Sequence, residues 1–182
     1  MAAVKAADKT AGTTVIKLAD LPANSLLQRY RDRGDFTDCY LTELPRSIPF
    51  ESYVEAFYCT RLFKLERWIL AWTIKRPSSD QQAAQLANNQ IQQFAAWDVE
   101  ARSEQQLLLC DLHQRTRSWL MRQDSPNGTY LYFGSAVVRT DAQGEALAKR
   151  WLFSFLGGFH ALYSRALLRA AKTSLLQQGQ HS

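Results

Sequence analysis

Apolar positions along the chain change period several times, and each change predicts a different element. Leu26, Leu27 and Tyr30 follow Asn24 and Ser25, either of which can cap a short helix that Gly34 ends. Phe36–Leu44 (FTDCYLTEL) then alternates as a strand, with Phe36, Asp38, Tyr40 and Thr42 on one side. Pro45 and Pro49 break the chain, and Pro49 suits a first helical turn. From Phe50 the spacing is helical: Phe50, Tyr53, Val54 and Phe57, then Leu62, Leu65, Ile69 and Trp72. Thr60 can cap the second of these runs, so two consecutive helices are expected rather than one rod. Ser79 with Gln82 forms a capping box for a third, mostly polar helix reaching about Gln93.

The period then falls to two. Trp97, Val99 and Ala101 alternate with Asp98, Glu100 and Arg102. Three further strands follow at Gln105–Leu112, Arg115–Arg122 and Thr129–Arg139, joined by short polar turns that make neighbours antiparallel. The last pattern is helical again from about Gly144 to Gln177, with Trp151, Phe155, Phe159, Leu162, Tyr163, Ala166, Leu167 and Ala170 on a broad apolar face. The predicted class is α+β: an antiparallel sheet, two to three helices inserted after the first strand, and a long C-terminal helix packed on the sheet. Residues 1–14 read as a disordered tail and 15–182 as a single domain.

Pairing the strands across a two-residue His113-Gln114 turn sets Cys110 opposite Arg117 and Leu108 opposite Trp119. Placing Trp119 opposite Tyr132 next puts Gly134 opposite Arg117 and yields two contrasting faces. One carries Leu107, Leu109, Leu120, Leu131 and Phe133 and reads as plain core. The other carries Arg117 among Trp119, Met121, Tyr130 and Tyr132. Both are too apolar for water, so helices must cover one, and helices or a homodimer the other.

Composition adds limits. Apolar residues make up 46% and charged residues 21%, which is ordinary for a globular chain. Cys39, Cys59 and Cys110 are widely spaced, which implies neither a zinc site nor a disulfide framework and points to a reducing, cytoplasmic setting. The longest uncharged apolar run, Trp151–Ser164, is shorter than the roughly 20 residues that span a bilayer. The net charge of +5 equals the five cations beyond Glu145, namely Lys149, Arg150, Arg165, Arg169 and Lys172. No basic groove pattern is visible, so nucleic acid is not an expected partner. GxGxxG, P-loop and HExxH motifs are absent, and no metal or cofactor is expected.

Arg117 can hold an anion through its planar fork, or pair internally with Asp111 or Glu100. His160 lies in the apolar stretch of the last helix, where a hydrogen-bonded core imidazole is the ordinary outcome and an acid/base role the sharper one. Asp111, His113 and Ser118 lack any nucleophile-elbow context. Asp35 and Asp38 suit capping or turning of the backbone.

The segments Gly34–Glu43 (GDFTDCYLTE), Tyr53–Arg67, Arg115–Trp119 (RTRSW), Leu131–Ser135 (LYFGS) and Gly158–Arg169 resemble an uncharacterised proteobacterial family. The order of elements is similar to the helix-grip layout of START and polyketide-cyclase-like proteins. That layout has six strands after its helices, where four are counted here. The resemblance implies an apolar ligand between sheet and last helix, with no established activity. The expected function is therefore small-molecule binding. Arg117 would orient the ligand, which is acidic in that case, and Trp119, Tyr130, Tyr132, Phe159, His160 and Tyr163 would surround it. The alternatives are a peripheral membrane protein using the basic C-terminal helix, and an enzyme with His160 or Asp111 as acid/base.

Overall fold

The computed structural model describes residues 16–139 and 159–179. Seven strands form one antiparallel sheet in the order β1-β2-β7-β6-β5-β4-β3. They are β1 (Lys17–Leu18), β2 (Phe36–Leu44), β3 (Gln93–Phe94), β4 (Trp97–Ser103), β5 (Gln106–Asp111), β6 (Thr116–Ser125) and β7 (Gly128–Val137). The helices are α1 (Gln28–Asp32), α2 (Phe50–Tyr58), α3 (Arg61–Ile74), α4 (Asp80–Ala87) and the C-terminal α5 (Phe159–Gln178). The α+β class and the C-terminal helix packed on an antiparallel sheet are as expected. The sheet has five strands after the inserted helices rather than four, because the two-residue β3 turns back onto β4.

Local chemistry explains the helix ends. Thr60 Oγ1 accepts from Phe63 N at 3.2 Å, which starts α3 immediately after α2. The Ser79–Gln82 capping box is present in both directions and starts α4. That helix ends at Ala87 rather than near Gln93, since Asn89 adopts a left-handed conformation (φ 57°) ahead of β3. It is also less superficial than its polar sequence suggests: Ala83, Leu86 and Ala87 are buried. Neither Asn24 nor Ser25 caps α1, whose N-cap is Leu27 without a side-chain bond. Asn24 instead accepts from Gln106 Nε2 through its carbonyl, at 3.0 Å.

Cys110 pairs with Arg117 and Leu108 with Trp119, as the short turn predicts. Between β6 and β7 the register is displaced by two residues. Trp119 lies opposite Gly134, Met121 opposite Tyr132 and Arg117 opposite Ala136. The cause is the hairpin, in which Ser125 pairs with Gly128 and leaves Pro126-Asn127 as the loop. A shift of two preserves facing, so the two faces keep their expected members. Gly134 allows close packing there, since an added Cβ would stand 2.7 Å from Asp38 O, 2.9 Å from Leu27 Cδ1 and 3.0 Å from Trp119 Cε3.

In β4 the expected alternation fails midway. A bulge between Val99 and Ala101 leaves Glu100 as the extra residue. Val99 then packs with the helix-covered core and Ala101 with the opposite cluster. Beyond the bulge Arg102 faces the helices, where its guanidinium donates to the carbonyl oxygens of Leu86 and Ala87 at the end of α4. Arg46 serves the end of α5 in the same way by donating to Leu175 O. Part of the chain's positive charge is thus spent on helix C-termini.

Helices α2 to α5 cover one face, burying Leu107, Leu109, Leu120, Leu131 and Phe133 beneath Phe57, Leu86, Leu168 and Leu175. The other face is covered by the chain's own residues before β2: Leu21, Leu27 and Tyr30 lie over Leu108, Trp119, Met121 and Tyr132. The cover on that face thus comes from α1 and the segment leading into it, not from α2 to α5. Gly128 illustrates how tightly the hairpin is seated. At φ 149°, an added Cβ would meet Leu44 O at 2.2 Å and Arg46 N at 2.4 Å. Gly128→Ala is therefore expected to cost more than about 1 kcal/mol in chemical denaturation, because both backbone strain and backbone overlap oppose it.

Candidate functional site

The bulge that displaces Glu100 aims its carboxylate at Arg117. Glu100 pairs with Arg117 and with Arg29, and Tyr30 Oη donates to the same carboxylate. Arg117 Nε also donates to Tyr30 Oη at 2.7 Å, and its guanidinium stacks 5.0 Å from the centre of the Tyr30 ring. Burial alone would lower the Arg117 pKa, yet the Tyr30 hydrogen bond and the Glu100 charge raise it above its ordinary value. Burial and the bond to Glu100 push the Tyr30 hydroxyl up. Arg117 is thus bound within the protein, and its geometry is that of an internal ion pair.

Six of the seven residues expected to share a ligand have described side chains, and these six fall on two different faces of the sheet. Arg117, Trp119, Tyr130 and Tyr132 lie on the face covered by the N-terminal segment, while His160 and Tyr163 lie on the helix-covered face. Phe159 begins α5, but its side chain is outside the described residues, as are Trp151, Phe155, Lys149, Arg150 and the Gly157-Gly158 pair. Trp119 is fully buried and its indole Nε1 donates to Gln106 Oε1 at 3.0 Å, so it is core. Asp111 is a turn acceptor: its Oδ1 receives Arg115 N at 2.7 Å and Thr116 N at 2.9 Å. That occupation leaves it poorly placed as an acid/base.

His160 meets a polar cluster on β2 and β7. Asp38 Oδ1 accepts from Ser135 N at 2.9 Å and from Ser135 Oγ at 2.7 Å, while Asp38 Oδ2 lies 3.1 Å from His160 Nε2. Ser135 Oγ is also 3.1 Å from His160 Nε2. With the serine proton directed to Asp38, Ser135 Oγ can only accept from the imidazole, which assigns a proton to Nε2. A nucleophilic triad has the serine on one imidazole nitrogen and the acid on the other. Here both lie on Nε2, so the cluster joins β2, β7 and α5 but does not activate Ser135. Asp38, read from sequence as a capping residue, is its hub; its alternation with Tyr40 on one strand face was the available signal.

This cluster borders a cleft of about 350 Å³ between the end of β1, the edge of β2 and the start of α5. Leu18, Ala19, Leu21, Phe36, Tyr40 and Ala161 give it largely apolar walls, and Asp20, Arg31, Asp38 and His160 supply polar groups. Burial, reinforced by Asp38, pushes the Tyr40 hydroxyl up to about 12. Burial, with Asp38 and Asp20 adding to it, likewise pushes the Cys39 thiol up to about 12, so Cys39 is not a nucleophile near neutral pH. Sequence reading missed the cleft because its walls combine three separate pieces of residues 18–40 with the start of α5, some 120 positions later.

No protein-family model matches the chain, and no curated protein matches it. Among solved structures, the crystal structure of CalU16 from Micromonospora echinospora aligns over 89% of this chain and 96% of its own. The identity is 12% and the TM-score 0.32, a level that bears on neither fold nor function.

Proposed function

We propose that this protein is a small-molecule-binding domain whose ligand lies in the cleft between β1, β2 and α5. The observation that carries this reading is the cleft itself. Its volume of about 350 Å³ lies within the usual range of ligand sites, and it combines apolar walls with a few fixed polar groups. The helix-grip-like arrangement of sheet and C-terminal helix supports the same class by analogy of layout. Three free cysteines support a reducing, cytoplasmic setting. The ligand is largely apolar with polar groups that meet the cleft's fixed polar side chains, and Arg117 has no part in holding it.

Native mass spectrometry of protein purified from its own host tests this directly. A retained small molecule is expected. Ala161→Trp, which fills the cleft from α5, should remove that mass while leaving the melting temperature within a few degrees. Absence of a bound mass, together with no cleft-dependent uptake of an apolar dye by the emptied protein, would refute the proposal.

One observation favours a second reading, at a membrane surface. Leu65 and Trp68 on α3 and Leu162 on the neighbouring α5 are 54%, 60% and 67% exposed, and Arg165 and Arg169 are exposed on α5. Among the described residues no helix is long and apolar enough to cross a membrane, so any association would be peripheral. Co-sedimentation with anionic liposomes that Leu162→Glu abolishes would support it. No binding by the unmodified protein would discard it.

A further inference from the structure

We infer that the cleft takes a short apolar peptide, three residues long and bound as an added strand antiparallel to β2. The inference rests on the cleft being a ligand site. It begins from the sheet edge. β1 pairs only with Tyr40 and Leu41, and Ala19 N then donates to Cys39 O at 3.0 Å. Past that point the chain leaves the edge, and Leu21 is buried in the cluster on the other face. In an antiparallel strand, the N–H and C=O of one residue point to the same side, and successive residues alternate. Because the Cys39 carbonyl points toward β1, both backbone groups of Thr37 point along that same edge. β7 occupies the opposite edge throughout β2. Among the described residues no strand pairs with Thr37 on the open side, and Thr37 lines the cleft. A half-buried backbone donor and acceptor, side by side, call for a partner with the complementary pair. The central residue of a tripeptide supplies it, with one amide on each side.

Length and charge agree. The open stretch Phe36–Asp38 spans about 10 Å at roughly 3.3 Å per residue, which three residues match. Antiparallel to β2, the peptide has its N-terminus near Cys39 and its C-terminus near Phe36. Asp20 follows Ala19 at the Cys39 end. Arg31 sits at the Phe36 end, where its carbonyl accepts from Gly34 N at 2.9 Å. Both residues line the cleft, both are exposed, and neither has an ion-pair partner among the described residues. The peptide ammonium therefore meets a carboxylate and its carboxylate meets a guanidinium. A residue opposite Thr37 projects to the side of Leu21, which suits a larger apolar side chain. Its neighbours project toward Ala161 and His160, where small ones fit.

The probe is Ala-Leu-Ala, titrated into isotope-labelled protein and followed by NMR. A saturable shift of the Thr37 amide is expected. Methylating the peptide nitrogen of the central leucine removes its donor and should weaken binding by about tenfold or more. Asp20→Asn and Arg31→Gln should each weaken the free tripeptide severalfold, and leave the N-acetylated, C-amidated form unchanged. Equal binding of the methylated peptide, or an unmoved Thr37 amide, would overturn the inference. An apolar naphthalene dye run alongside separates the two proposals. If it enters the wild-type cleft, is blocked by Ala161→Trp, and the peptide does not bind, only the peptide assignment falls. If neither dye nor peptide enters, both fall.

Discussion

Arg117→Ala is expected to lower stability by about 3 kcal/mol or more, because it removes the cation that the Glu100 carboxylate and the Tyr30 hydroxyl share in a half-dry site. Arg117 and Glu100 have side-chain exposures of 9% and 23%, so the pair is only partly screened by solvent. Arg29, half-exposed, remains beside Glu100 after the substitution but cannot reproduce the stacking over Tyr30 or the bond to its hydroxyl. Equilibrium urea denaturation of the single and double variants separates pairing from packing. Arg117→Met with Glu100→Gln should be clearly more stable than Arg117→Ala, since the double change removes both charges together. A cost below about 1 kcal/mol for Arg117→Ala would mean that the pair behaves as an ordinary surface contact.

Trp119→Ala should cost about 3–5 kcal/mol, the range for removing a large buried ring. The indole is fully buried among Leu27, Leu108, Met121 and Tyr132, and its N–H is the donor that holds Gln106 Oε1. Gln106 in turn fixes the N-terminal segment by accepting from Leu26 N and donating to Asn24 O. The loss therefore combines a cavity with a loosened cover over the whole face. Trp119→Phe should recover part of the packing and none of the hydrogen bond, falling between the two. Were Trp119 the wall of an occupied ligand site, truncation would instead change ligand retention at modest cost to folding. Urea midpoints with and without the cleft-filling Ala161→Trp change should add independently, because the two positions lie on opposite sides of the sheet.

Much of the architecture was legible in short-range pattern. Period-two alternation located β2 and β4 to β7, because a half-covered sheet imposes it on every strand. Thr60 and the Ser79–Gln82 box announced helix starts through bonds spanning three residues, which any window can see. The register across His113-Gln114 followed from turn length. The Pro126-Asn127 loop was misjudged by two residues, but the parity of two spared the face assignments. Glu100 shows where such reading stops. A bulge costs little locally and leaves no mark in alternation, yet it reverses the facing of every later residue in β4. It brought the acid to Arg117 and sent Arg102 to the end of α4.

By itself, then, the sequence determined the fold class, the two unlike sheet faces and the need to cover both, since apolar periodicity and turn chemistry act within a few residues. It also supplied Glu100 as one of two named acids for Arg117. Which element covers which face was decided only in three dimensions. The helices and the N-terminal segment each carry apolar positions, and their period does not say which side of the sheet either takes. That choice separated His160 from Arg117, and it joined His160 to Asp38 across 122 positions of chain. It also opened the cleft where β1 departs from the edge of β2, a place made by four segments that no local pattern connects.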